Sequence, residues 1–152
     1  MQNMPTLATN PRAKYDYEIL ETYEAGLVLT GQEVKSIKTG HISLRGSYVT
    51  IKNEEAWLIN AQIPPYQPKN APADYQPSRT RKLLLHKKEL KSLIGKTKQK
   101  GLTLVSLRVY TKRGKIKLGF ALGRGKRKID KREKIIERET KRKIDRALRG
   151  KL

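Results

Sequence analysis

The sequence contains no cysteine, which removes disulfides and thiolate metal sites from the reading. Its two histidines, His41 and His86, lack the i, i+4 spacing of a helical metal site. No uncharged run approaches the ~18 apolar residues of a spanning helix. The opening MQNMPTLATN has neither a basic n-region nor an apolar h-region, so it does not read as a secretory signal. Acidic residues are scarce, 14 against 35 lysines and arginines, for a net charge of +21. A chain this basic repels itself unless a polyanion balances it. RNA and DNA are the leading partners and anionic membrane the weakest. The expected protein is a cytoplasmic nucleic-acid binder.

Intact catalytic motifs are also missing. Gly95-Lys96-Thr97 resembles the end of a P-loop, but Leu90 stands where the first glycine belongs. Gly123-Arg124-Gly125 opens a dinucleotide-type GxG without the third glycine or the helix that should follow. Glu18, Glu21 and Glu24 lie along a predicted strand and turn. They could pair as catalytic carboxylates, or do the more ordinary work of bonding neighbouring arginines. Nothing requires an enzyme or a cofactor.

What is present suits one small domain with a lean core, 36% hydrophobic and 32% charged over 152 residues. Short strands are predicted at Tyr15–Leu20 and Leu27–Leu29, around a turn at Glu24-Ala25-Gly26. Others follow at Tyr48–Lys52 and Ala56–Ile63, joined by Asn53-Glu54. A helix is predicted over Gln32–Lys38, with Val34 and Ile37 on one face, and a second over His86–Gln99, with Leu90, Leu93 and Ile94 in register. Residues 63–78 hold five of the seven prolines and form a long connection with polyproline II character. Leu102–Tyr110 and Ile116–Leu122 make a hairpin across Thr111–Lys115. Ile116, Leu118, Phe120 and Leu122 alternate cleanly, whereas the first strand changes phase, which predicts a bulge near Leu104-Val105. The sum is mainly β: an OB-fold-like closed β-barrel of about six strands with two to three helices.

Two basic surfaces stand out on the predicted barrel. The hairpin directs Arg108, Tyr110, Lys112, Lys115 and Lys117 outward, a face suited to phosphate contact and base stacking, or else a solvated sheet face. Arg79, Arg81 and Lys82 in RTRK can fork onto phosphate or base edges, or simply end a charged loop. Leu84 is either core or an outward apolar contact. Charge then concentrates at the end. Residues 123–152 carry 14 basic and 5 acidic side chains, a net of +9, which marks a boundary at Gly123. The predicted domain is 1–122, with 1–9 flexible, and 123–152 is a basic tail. In the tail Asp130–Lys134, Glu137–Lys141, Glu139–Lys143 and Asp145–Arg149 are acid-to-base i, i+4 pairs, each contributing about 0.2–0.5 kcal/mol to a helix. Its apolar stripe is too thin to hold that helix on a core, so the tail reads as disordered alone and helical once a polyanion neutralises it.

These stretches fall in a familiar series. NPRAKYDYEI, TYEAG and GQEVKS occur between Asn10 and Ser36, followed by RTRKLLLHKKEL, KGLTLV and GRGKRKIDKRE. In that order they closely resemble the SsrA-binding protein family (small protein B) of bacterial trans-translation. The resemblance runs from Asn10 over almost the whole chain. It implies an OB-fold barrel that binds the tRNA-like domain of transfer-messenger RNA and delivers it to stalled ribosomes, acting as a monomer, one per RNA. It also implies a tail that enters the empty decoding site and mRNA channel of the small subunit. The matching RNA-binding positions are Asn10, Glu24, Glu33, Lys35 and Leu84. Arg12, Lys14, Tyr15, Arg79, Arg81, Lys82, Lys115 and Lys117 join the same surface. The tail signature comprises Gly125, Lys126, Arg127, Lys128, Ile129, Asp130, Lys131 and Arg132, with Lys134 beyond it. Departures from the family pattern are Pro11 for a basic residue, Tyr15 for histidine, Gln32 for tryptophan, and Ile129 for histidine or an aromatic. Outside this family the reading would be a basic structural ribosomal protein. The tail expectation has a direct test. Residues 123–152 in isolation should show little helical circular dichroism at low salt and gain it with RNA. Full helicity without RNA would refute the idea.

Overall fold

The computed structural model describes residues 5–126 and Arg142. The tail expectations for Arg127 through Lys134 lie outside the described residues.

Among the described residues, seven strands and three α-helices follow in chain order. They are β1 (Thr6–Thr9), α1 (Ala13–Asp16), β2 (Tyr17–Leu27), α2 (Gly31–Lys38), β3 (Tyr48–Lys52), β4 (Glu55–Ile59), β5 (Arg81–Leu84), α3 (Lys87–Thr97), β6 (Leu102–Lys112) and β7 (Lys115–Gly125). The strand order is β1-β6-β3-β4-β5-β2-β7, and β6 also pairs with β7. Six antiparallel strands therefore close a ring, and β1 is added outside it on β6. This is the expected mainly-β architecture, with the closed sheet and the helices both present.

Tight turns make the closure compact. Arg113 and Gly114 both have positive φ, as do Asn53 and Glu54, so each pair is a two-residue hairpin loop of the twist-compatible kind. Thr30 caps α2 through a reciprocal capping box with Glu33, which defines where that helix starts. The ring encloses Leu58, Leu104, Val109, Leu118 and Phe120, while α2 and α3 add Ile37 and Leu93 to the same core. Ile116, Leu118, Phe120 and Leu122 all point inward, as their alternation requires. A second, smaller cluster of Ala13, Val105 and Ala121 seats α1 against β6 and β7.

The structure corrects several local expectations. Glu24-Ala25-Gly26 is not a turn: β2 is one continuous strand, and Ala25 and Gly26 pair with Leu118 and Lys117 of β7. Gly26 serves close packing instead, because a Cβ there would sit 3.4 Å from the Leu84 Cβ. The β6 register shift lies between Ser106 and Arg108, which leaves Leu107 as the extra residue. The apparent phase change at Leu104-Val105 arises because Val105 and Leu107 serve the second cluster. Residues Thr6–Thr9 pair with β6, so the flexible start predicted over 1–9 does not extend to them. β7 continues past Gly123 to Gly125, pairing with Tyr17 and Glu18, so the change in composition precedes the end of the strand. β4 stops at Ile59, where Asn60 takes a positive φ.

The proline-rich connection is anchored rather than loose. The Ser36 hydroxyl donates to the Pro64 carbonyl at 2.7 Å, and the Tyr75 hydroxyl donates to the Ile63 carbonyl at 2.8 Å. The Ile63 N–H donates to Pro77 at 2.9 Å. One 3-10 turn, Pro68–Asn70, interrupts it.

Phe120 is fully buried in the core and stacks on Tyr23 at a 5.5 Å centroid separation. Phe120→Ala should cost about 3–5 kcal/mol in urea unfolding. A loss below about 1 kcal/mol would show that the site collapses around the missing ring.

Candidate nucleic-acid interface

The outer face of β2, β7 and β6 follows directly from the pairing register. Glu24 stands opposite Gly119, which stands opposite Arg108; Gly26 stands opposite Lys117, which stands opposite Tyr110. Gly119 clears space between the flanking strands. A Cβ there would lie 3.3 Å from Tyr110 Cε1 and 3.4 Å from Arg108 Cγ. Arg108 lies over the Tyr110 ring at 4.2 Å. The Tyr110 hydroxyl donates to Glu24, whose other oxygen is 3.4 Å from Lys112 Nζ. Tyr110 is only 3% exposed. The ring expected as a stacking platform is therefore covered by Arg108 and tied down by Glu24. Burial and the Glu24 carboxylate push the Tyr110 phenol far above its ordinary pKa. The Tyr110 hydrogen bond and Lys112 in turn hold Glu24 below the usual carboxylate range.

Next to this arrangement lies a shallow groove. Gly26, Val34, Lys38, Leu84, Lys115 and Lys117 are among the residues that line it. Leu84 is 56% exposed, which settles the sequence ambiguity in favour of an outward apolar contact. A large apolar side chain ringed by lysines offers packing and charge at one place. A second cleft, lined in part by Asn10, Lys14, Glu24, Arg108 and Tyr110, continues along the face. Asn10 is fixed there by its amide, which donates to the Ser106 carbonyl at 3.0 Å, and by its N–H, which donates to Leu107 at 2.8 Å. The β6 bulge thus seats Asn10, whose carbonyl accepts from the Ala13 N–H at the start of α1 at 3.2 Å. Lys126 Nζ donates to the Lys14 carbonyl at 2.9 Å, which places Lys126 beside this cleft.

Other site residues are placed elsewhere. Arg12 pairs with Asp16 at 3.6 Å and lies 5.5 Å over the Tyr15 ring, on the other flank of α1 with Arg45 and Tyr48. Lys35 is exposed on α2. Lys82 pairs with Glu55 at 3.2 Å. Two of the acidic side chains of β2, Glu21 and Glu24, bond lysine and tyrosine rather than the arginines expected: Glu21 contacts Lys96 at 2.5 Å and Tyr23.

Two residues expected on the surface are withdrawn from it. Glu33 is 1% and Arg81 0% exposed. Glu33 Oε2 accepts from Arg81 Nε at 2.7 Å, and Oε1 accepts from Arg79 Nη2 at 2.5 Å. Arg81 cannot fork onto a phosphate in this position, because its guanidinium is closed off from solvent and each of its nitrogens already donates, to Glu33 and to two backbone carbonyls. Burial opposes the charge on Glu33. The hydrogen bonds from Arg79, the Thr30 N–H and Arg81 outweigh it, so the carboxyl titrates below its ordinary value. Sequence reasoning passed over Lys38 and Gly119 and read Gly26 as part of a turn. An outward glycine inside the KIKLGFAL alternation was the available sign of a close approach.

A closed antiparallel ring with one lysine-rimmed, partly apolar outer face, in a chain of net charge +21, defines a polyanion-binding protein of the nucleic-acid-binding class. The family profile for the SmpB protein matches residues 7–150, and the chain belongs to that family of SsrA-binding proteins. The SsrA-binding protein of Nostoc punctiforme is 52% identical over 144 residues, covering 95% of this chain and 93% of its own. That of Sulfurihydrogenibium sp. is 53% identical over 146 residues, covering 96% and 95%. A solved chain from "tmRNA-SmpB: a journey to the center of the bacterial ribosome" superposes with a TM-score of 0.66 at 48% identity. It covers 84% of this chain and 93% of that one.

The lowered Glu33 carboxyl sets the sign of an acid effect. Its contribution is complete above the unfolded glutamate value of about 4.3 and is lost as pH falls through the lower folded value. Urea midpoints of the wild type and Glu33→Gln should differ most at neutral pH and converge in strong acid. A gap that stays constant down to about pH 2 would refute this assignment.

Proposed function

We propose that this chain binds transfer-messenger RNA through the outer face of β2, β5, β6 and β7, and acts with that RNA on the bacterial ribosome in trans-translation. The observation that carries the reading is the exposed Leu84 among Lys38, Lys115 and Lys117, in a chain about half identical to SsrA-binding proteins over nearly its full length. Leu84, Lys115 and Lys117 form the centre of the contact with the tRNA-like domain. Asn10 and Lys14 extend it along the second cleft, where Glu24 holds Tyr110 and Lys112 in place. Lys35, Arg79 and Lys82 border it, and Arg12 and Tyr15 occupy the far flank of α1. Lys126 leads into Arg127 and Lys128. The decoding region and mRNA channel receive Gly125, Ile129, Asp130, Lys131, Arg132 and Lys134. The protein works in the cytoplasm by position and charge, without a catalytic step of its own.

Binding of the full chain and of residues 1–126 to the tRNA-like domain, with an elongator tRNA as competitor, tests this over a salt series. The cut falls after Lys126 because β7 runs to Gly125. Both proteins should prefer the tRNA-like domain, with a log–log slope of about −0.7 to −0.9 per neutralised phosphate. Leu84→Glu should weaken binding by about tenfold or more, or about 1.4 kcal/mol, while the ring stays folded. Loss of preference together with fixed-stoichiometry, salt-resistant sedimentation with ribosomes would favour a structural ribosomal protein. Replacing Asp130, Lys131 and Arg132 by alanine should leave RNA affinity intact and abolish peptide tagging. Normal tagging would refute the tail assignment.

A further inference from the structure

Glu33 and Arg81 carry the chemistry of an RNA contact but are closed off from solvent. Their bonds join the elements that build the groove. Through Glu33 they hold the first turn of α2, where Thr30 N–H donates to Oε1 at 2.9 Å. Through Arg81 they hold β5, whose guanidinium also donates to Ala61 at 2.7 Å and Pro77 at 2.8 Å. These two carbonyls flank the proline-rich connection near its start and its end. Val34 and Lys38 of α2 form one wall of the groove, and Leu84 of β5 forms another.

β5 is short, four residues held between β2 and β4. It pairs with β2 at Leu83 and Leu84, and with β4 at Arg81, Lys82 and Leu83, and nothing in these ladders reaches α2. α2 takes part in no strand ladder. A buried ion pair is a poor way to gain stability compared with apolar packing, because both charges are desolvated. Its directional hydrogen bonds do, however, fix distance and angle. We infer that Glu33 and Arg81 are positioning residues: their buried pair sets α2 against β5 and so shapes the groove around Leu84 for RNA. The inference rests on the RNA-binding reading of that groove. It makes affinity depend on two side chains that do not touch the ligand.

The test is a double-mutant cycle on the full chain, with the tRNA-like domain of transfer-messenger RNA as the probe. Glu33→Gln is compared with the wild type, and the same change is made on Leu84→Ala. All four proteins are checked as folded by urea titration. In the wild-type background Glu33→Gln should weaken binding about tenfold with an unchanged salt slope. On Leu84→Ala it should cost no more than about twofold, because Glu33 acts by setting α2 against the Leu84 wall of the same groove. Trp57, the single tryptophan, pairs with Lys82 of β5. Its emission in the RNA-free protein should shift with Glu33→Gln and stay unchanged with Leu84→Ala. Equal losses in both backgrounds would overturn the inference, as would unchanged affinity. Should Glu33→Gln fail to fold, Arg81→Lys in the same two backgrounds decides by the same criteria. A wild type without preference over elongator tRNA would instead fail the functional reading itself, and this inference with it.

Discussion

The structure depends on the position of β7, which is hydrogen-bonded along most of its length to β2 on one edge and β6 on the other. That double ladder decides which side chains face in and which face out. Ile116, Leu118, Phe120 and Leu122 are committed to the core, and Lys115, Lys117 and Gly119 to the outer face. A slip of one residue would exchange the two sets, exposing leucine and burying lysine, which burial would penalise heavily. Irregularities at Ile19/Glu21 in β2 and Ser106/Arg108 in β6 fall on the two partner strands. They let long strands bend into a closed ring while β7 keeps its alternation. The lysine-bearing outer face is thus a consequence of the same register that makes the core.

Electrostatics divides the acidic and basic residues into different tasks. Glu21, Glu24 and Glu33 are each held below the ordinary carboxylate range by hydrogen-bonding partners. Each ties separate elements together: Glu21 joins β2 to α3 through Lys96, Glu24 joins β2 to β6 through Tyr110, and Glu33 joins α2 to β5 through Arg81. With 14 acids against 35 lysines and arginines, the chain keeps a large positive surplus. A strong positive field would by itself attract any polyanion, with an affinity that falls as salt rises. Shape is a separate source of selectivity, and the exposed Leu84 beside Gly26 presents an apolar surface that charge alone does not match.

Local pattern in the sequence was enough for elements whose cause is local. The alternation of KIKLGFAL determined the inward face of β7, and helix periodicity placed Val34, Ile37, Leu90 and Leu93 on apolar faces. One-signed charge pointed to a polyanion, and the ordered motifs from Asn10 to the tail pointed to the family that the comparisons then showed. The sequence could not distinguish a glycine that turns the chain from one that admits a neighbour. Gly26 was therefore read as a turn, although its role is set by Leu84 on a distant strand. Only tertiary structure decided that Tyr110 lies beneath Arg108, that Val105 and Leu107 serve a second cluster, and that Leu84 faces out. The same holds for Glu33 and Arg81, 48 positions apart in the chain. The family resemblance carried Glu33 to a surface and the basic RTRK stretch carried Arg81 there, and folding buried them together. Periodicity reports how a residue relates to its near neighbours, whereas burial and ion pairing depend on which distant strands the ring brings beside it.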